Sequence, residues 1–113
     1  MHRSVEEIAR DHMAAVLSGD PAAMAADYAP DAVLDRAGDV HRSRAAIEAY
    51  FRSVPQRLGA ARVVFDELVV DGPTATFRWH LEGGDATASG TDVCTVEADG
   101  IVHQTVHLDA ADF

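Results

Sequence analysis

Val5, Ile8, His12, Ala15 and Val16 recur at three- and four-residue intervals, the spacing that places side chains on one face of a helix. Ser4 followed by Glu7 forms a capping-box pattern, and Gly19 stands where a C-terminal cap belongs. A first helix is therefore predicted between them. Asp20-Pro21 restarts a helix, since proline suits the first helical position. Met24 and Tyr28 would face inward from it, and Pro30 would end it. Residues 31–42 read as a short strand, a turn near Gly38-Asp39 and a second short strand. Ser43 can cap a third helix, whose apolar stripe is Ile47, Tyr50, Phe51 and Val54, ending before Pro55.

From Arg62 onward the period becomes two. Four strand-like runs, 62–70, 74–82, 86–97 and 101–108, are separated by Asp71-Gly72, Gly83-Gly84 and Asp99-Gly100, pairs typical of hairpin turns. Short links between successive strands imply an antiparallel meander, and the three preceding helices must cover its apolar face. The prediction is a single α+β domain over residues 1–113.

Alternation within the strands separates their two faces. Ala75, Phe77, Trp79 and Leu81 form an apolar row opposite Thr76, Arg78, His80 and Glu82. Gly90, Asp92, Cys94 and Val96 form another, and Val102, Gln104, Val106 and Leu108 alternate with His103, Thr105 and His107. Asp92 is thus a carboxyl group in an otherwise small, apolar row. Such a group is costly if ionised and unpaired, so it acquires a partner or a raised pKa.

Composition narrows the function classes. Nine basic residues stand against nineteen acidic ones, a formal charge of −10, so nucleic acid and anionic membrane surfaces are not expected partners. Cys94 is the only cysteine; it excludes an internal disulfide, and between Val93 and Thr95 on a strand it reads as a small buried hydrophobe rather than a nucleophile. No apolar signal segment follows the N-terminus and no run reaches the ~18 residues of a membrane span, so a cytoplasmic location is expected. Phosphate-loop, dinucleotide and serine-hydrolase motifs are absent. His103 and His107 would sit about 13 Å apart along a strand, too far for one ion. Neither a metal nor a cofactor is called for.

The residues left to carry chemistry are Asp92, in its apolar wall; Asp35, at the end of a short strand beside Arg36; His12, on the apolar stripe of the first helix; and His107, near Thr105 on the last strand. Phe77 and Trp79 predict an apolar ligand environment.

The order helix, helix, short strands, helix, four-stranded meander resembles the nuclear transport factor 2-like superfamily, especially ketosteroid isomerases and SnoaL-like polyketide cyclases. The stretches Gly19-Asp20 through Val33, Arg44 through Phe51, and Ser89-Gly90-Thr91-Asp92-Val93 through Asp99-Gly100 carry the likeness. The resemblance implies a cystatin-like cone: helices packed on a strongly curved, mostly antiparallel sheet around a pocket for a small apolar organic molecule. By position, the acid that hydrogen-bonds the enolate in ketosteroid isomerases matches Asp92. The general-base aspartate falls at Asp35 with one residue deleted and at Arg36 without a gap. The oxyanion tyrosine falls at His12. Thr105 and His107 match pocket-lining positions, and Val16, Tyr28, Phe51 and Cys94 are further expected wall residues. The outer sheet face commonly makes a homodimer in this superfamily, here through Val102, Val106 and Leu108.

The resemblance implies acid–base chemistry of isomerase, cyclase or dehydratase type. Two other readings stay open: a non-catalytic ligand-binding or dimerising module, and an epoxide hydrolase using the paired carboxylates Asp35 and Asp92 with Arg36.

Overall fold

The computed structural model describes residues 3–84, 88–98 and 100–109. Helix α1 (Val5–Ser18) has both predicted caps: Ser4 and Glu7 satisfy each other's backbone N–H groups, and Gly19 closes the helix at φ 75°. The short α2 (Pro21–Ala25) is capped by Asp20. Strand β1 (Tyr28–Arg36) turns back into β2 (Asp39–Arg42). Ser43 caps α3 (Arg44–Arg52), and a single turn, α4 (Val54–Leu58), follows. Strands β3 (Arg62–Asp71), β4 (Thr74–Glu82), β5 (Ser89–Glu97) and β6 (Gly100–Leu108) complete the described chain.

All six strands form one sheet in the order β2-β1-β6-β5-β4-β3. β3 to β6 are the predicted meander, and β1 joins it as a parallel neighbour of β6. Ile8, Met24, Tyr28, Leu34, Ile47, Phe51 and the inner rows of β4 and β5 meet in the core between helices and sheet. No helix among the described residues is long and apolar enough to cross a membrane.

Two boundaries differ from expectation. Tyr28 opens a strand instead of closing a helix, and Pro30 lies within that strand. The β1–β6 register skips between Tyr28 and Val33, so the proline's missing N–H falls at an irregularity rather than in the ladder. The third helix stops at Ser53, and Pro55 lies in the first turn of α4 instead of closing α3. His2, residues 86–87 of the third predicted run and Asp99 of the third turn lie outside the described residues.

Candidate functional site

The inner rows of the meander line up across the ladder. Phe77 stands opposite Asp92, Trp79 opposite Gly90, Asp92 opposite Val106, and Cys94 opposite Gln104. Paired residues share a face, so each of these inner residues looks toward the helices. Where the curved sheet, α1, α3 and α4 fail to meet, a hollow remains. His12 and Val16 reach it from α1, Leu34 and Arg36 from β1, Tyr50 and Phe51 from α3, and Asp92, Gln104 and Val106 from β5 and β6. It is a cavity of about 70 Å³ that opens to solvent at its mouth. Half-buried Val16, Arg36, Tyr50, Val63 and Phe65 mark the mouth.

Asp92 lies in this wall, 8% exposed. Trp79 Nε1 donates to its Oδ1 at 2.9 Å and Gln104 Nε2 to its Oδ2 at 2.7 Å. Gly90 makes the first of these bonds possible: a Cβ at that position would lie 2.7 Å from Trp79 Cζ2 and 2.8 Å from the His107 carbonyl oxygen. The indole therefore lies where any side chain at residue 90 would stand. Burial raises the Asp92 pKa from 3.8 to about 6, against the opposing pull of the two donors.

The polar contacts continue inward. The Tyr28 hydroxyl donates to Gln104 Oε1, and His12 Nε2 lies 3.4 Å from the same hydroxyl. Two bonds from the Arg44 guanidinium to the Tyr28 carbonyl, 2.8 and 2.6 Å, fix the start of β1. Burial lowers the His12 pKa from 6.5 to about 4, only partly offset by the Met24 backbone, so its ring is neutral near pH 7. Asp27 Oδ2 stands 3.9 Å from His12 Nδ1, and the other Asp27 oxygen takes a 2.8 Å bond from Arg3. A chain of buried polar groups thus runs from Trp79 through Asp92, Gln104 and Tyr28 to His12. At the mouth the Arg57 guanidinium lies 5.0 Å over the Tyr50 ring. Burial pushes the Tyr50 hydroxyl pKa up, while Arg57 and Arg36 pull it down.

Seven of the predicted residues meet at the hollow: His12, Val16, Arg36, Phe51, Phe77, Trp79 and Asp92. Five do not. Asp35 pairs with Thr105 in the β1–β6 ladder while Arg36 pairs with Val106, so Asp35 faces outward, where it accepts a 2.9 Å bond from Gly38 N in the β1–β2 turn. Strand alternation gives the pocket position to Arg36. Thr105 and His107 lie on the same outer face, and His107 is exposed. Tyr28 and Cys94 are buried behind the hollow wall, Tyr28 as a link in the polar chain. The outer row also differs from the expected dimer face: Val106 faces the hollow, and Leu108 pairs with inward-facing Gly90.

Gln104, Tyr50 and Leu34 join the site without a signal that sequence reasoning used. The resemblance places the row holding Gln104 and Val106 on the outer face; in the structure both face inward, and an extra residue at Val102 lets Ile101 be buried as well. Val96 pairs with Ile101 but Thr95 with His103, so Ile101 and Gln104 are both buried. The usable signal is Gln104 itself, an amide flanked by apolar side chains on its own row. Among the described residues no group of three or more His, Cys, Asp or Glu is placed to hold a metal.

The family described as "SnoaL-like domain" matches residues 9–104. A steroid Delta-isomerase from Nocardioides simplex is 33% identical over 104 residues, spanning 88% of this chain and 85% of that protein. Among solved structures, a protein from Kribbella flavida provisionally named a ketosteroid isomerase superposes with a TM-score of 0.83 at 20% identity, covering 95% of this chain and 78% of that one. A protein from Sinorhizobium meliloti provisionally named a polyketide cyclase gives 0.78 at 21% identity, over 93% and 100% of the two chains. At these identities the structural likeness establishes the shared fold.

Proposed function

The chain belongs to the SnoaL-like domain family, and on that premise we propose that it moves a proton on a small, largely apolar carbonyl compound held in the hollow. Its family and its steroid-isomerase relative support isomerase- or cyclase-type chemistry on a small molecule. The observation that carries the finer reading is the buried Asp92 carboxyl, set in an apolar wall between two hydrogen-bond donors.

In this reading Asp92 is the base. Its pKa near 6 leaves it ionised at neutral pH yet basic enough to take a proton from the carbon beside a carbonyl. The electron pair moves onto the carbonyl oxygen, and the Arg36 guanidinium, which lines the mouth, supplies positive charge to that oxygen. Return of the proton from Asp92 to a different carbon completes an isomerisation with no atom gained or lost. The phenyl and indole rings of Phe77 and Trp79 hold the carbon skeleton. Water is kept from the carboxyl by the same apolar wall that raises its pKa. No cofactor is required.

Epoxide hydrolysis through two carboxylates loses its second one, because Asp35 faces away from the hollow. The reading includes a homodimer joined through the outer sheet face.

Turnover of monocyclic and fused-ring β,γ-unsaturated ketones, followed by the absorbance of the conjugated product, tests the proposal. Asp92→Asn keeps the shape and removes the base, so activity should fall by about 10²–10⁴-fold. Wild-type rates in that variant, or binding of the ketones without turnover by the wild type, would remove the enzymatic reading.

A further inference from the structure

A base must be comfortable in two protonation states, and most hydrogen-bond partners suit only one. Ionised Asp92 accepts only; protonated, it must also donate. Trp79 Nε1 is a donor in either case and cannot adapt. Gln104 can, because an amide carries a donor and an acceptor on one rotatable group. Its present orientation is set from both sides: Nε2 faces Asp92 Oδ2 at 2.7 Å, and Oε1 takes the Tyr28 proton. The Tyr28 hydroxyl has only that one proton to give. His12 Nε2 waits 3.4 Å from it, in a ring that burial keeps neutral.

We propose that Gln104 is a positioning residue that serves both states of Asp92, donating to the carboxylate as seen here and turning over to accept from the acid. When Asp92 takes the substrate proton, an unturned amide would leave that proton facing an NH2 group. Rotation brings Oε1 to the new Asp92 O–H and sends Nε2 toward the Tyr28 oxygen. The Tyr28 proton is then displaced and swings to His12 Nε2. One proton arrives at Asp92; the rest of the chain changes by rotation alone, and afterwards the Gln104 amide, the Tyr28 hydroxyl and His12 Nε2 each face a partner. The remaining ionisable groups near Asp92 are Cys94 on its own strand, Arg36 on β1 and Tyr50 on α3. Burial pushes the Cys94 and Tyr50 pKa values up.

The inference rests on the reading of Asp92 as the proton-exchanging group, but its test needs no substrate. Side-chain carboxyl ¹³C shifts, with Asp92 assigned by comparison with Asp92→Asn, give its titration midpoint, while ¹⁵N shifts follow His12. In the wild type His12 Nε2 should respond with the same midpoint as Asp92, as it gains a hydrogen bond from the Tyr28 hydroxyl. Gln104→Met should abolish that response and raise the Asp92 midpoint by about one unit, since the carboxylate loses a donor. A His12 signal unmoved through the Asp92 titration, or one that still follows Asp92 in folded Gln104→Met, overturns the proposal. Should that variant not fold, Tyr28→Phe takes its place, with loss of the His12 response expected and its persistence decisive against. Wild-type turnover in Asp92→Asn would sink the catalytic reading alone; an unresponsive His12 would sink the chain alone.

Discussion

Burial moves the two ionisable ends of the polar chain in opposite directions, and stability should record both. His12 falls from 6.5 to about 4 on folding. Between those values the unfolded chain binds a proton that the native state refuses, so the His12 contribution is intact above pH 6.5 and declines as pH falls toward 4. Asp92 rises from 3.8 to about 6. In that window it is the native state that holds the extra proton, so stability falls as pH rises through it. From pH 6 to 4 the two terms nearly offset, each worth roughly 2–3 kcal/mol. Urea unfolding across this range should show Asp92→Asn losing that much relative to wild type on acidification, and His12→Gln gaining it. Parallel curves for all three proteins would mean that burial does not hold these groups as described.

At the level of elements, the meeting of β4 and β5 depends on residue 90 having no side chain. Gly90→Ala would drive a methyl into Trp79 and the β6 backbone; a cost of about 1–3 kcal/mol in urea unfolding is expected, with a displaced Asp92 midpoint because the indole bond is lost. Unchanged values would show that the ring can move aside freely. Helix ends and the β3–β4 hairpin are legible in the sequence because they rest on local chemistry: Ser4 with Glu7, Gly19, Ser43 and the Asp71-Gly72 turn act within a few residues. The inner rows of β4 and β5 are legible because strict alternation persists through both. Which side of β6 faces inward is not, since the extra residue at Val102 breaks the parity and is visible only in the pairing with β5. Asp35 escapes for a related reason. A one-residue choice of register exchanges the two faces of a strand, and only the pairing of Arg36 with Val106 decides it. Tyr28 is misread when Pro30 is treated as a helix stop, where the fold uses it at a strand irregularity instead.

Taken as a whole, the molecule turns most of its large apolar side chains toward the helices, while the outer sheet face carries Val64, Val69 and Val93 among Thr76, Arg78, Thr91, Thr95 and Thr105. A dimer built on that face would join through valines, threonines and charges of β3, β4 and β5 rather than through the Val102, Val106 and Leu108 row. Sedimentation over a micromolar concentration series should give twice the 12.1 kDa chain mass; a species of single-chain mass throughout would remove the homodimer. An Arg78→Glu substitution should weaken the association if this face is used. The chain has a single tryptophan, and it is the one whose indole N–H touches Asp92 at the edge of the hollow. The protein therefore carries its own optical gauge. Emission from Trp79 should report both the charge on the neighbouring carboxyl and the arrival of a guest, without dye or label and whatever the guest's chemical identity.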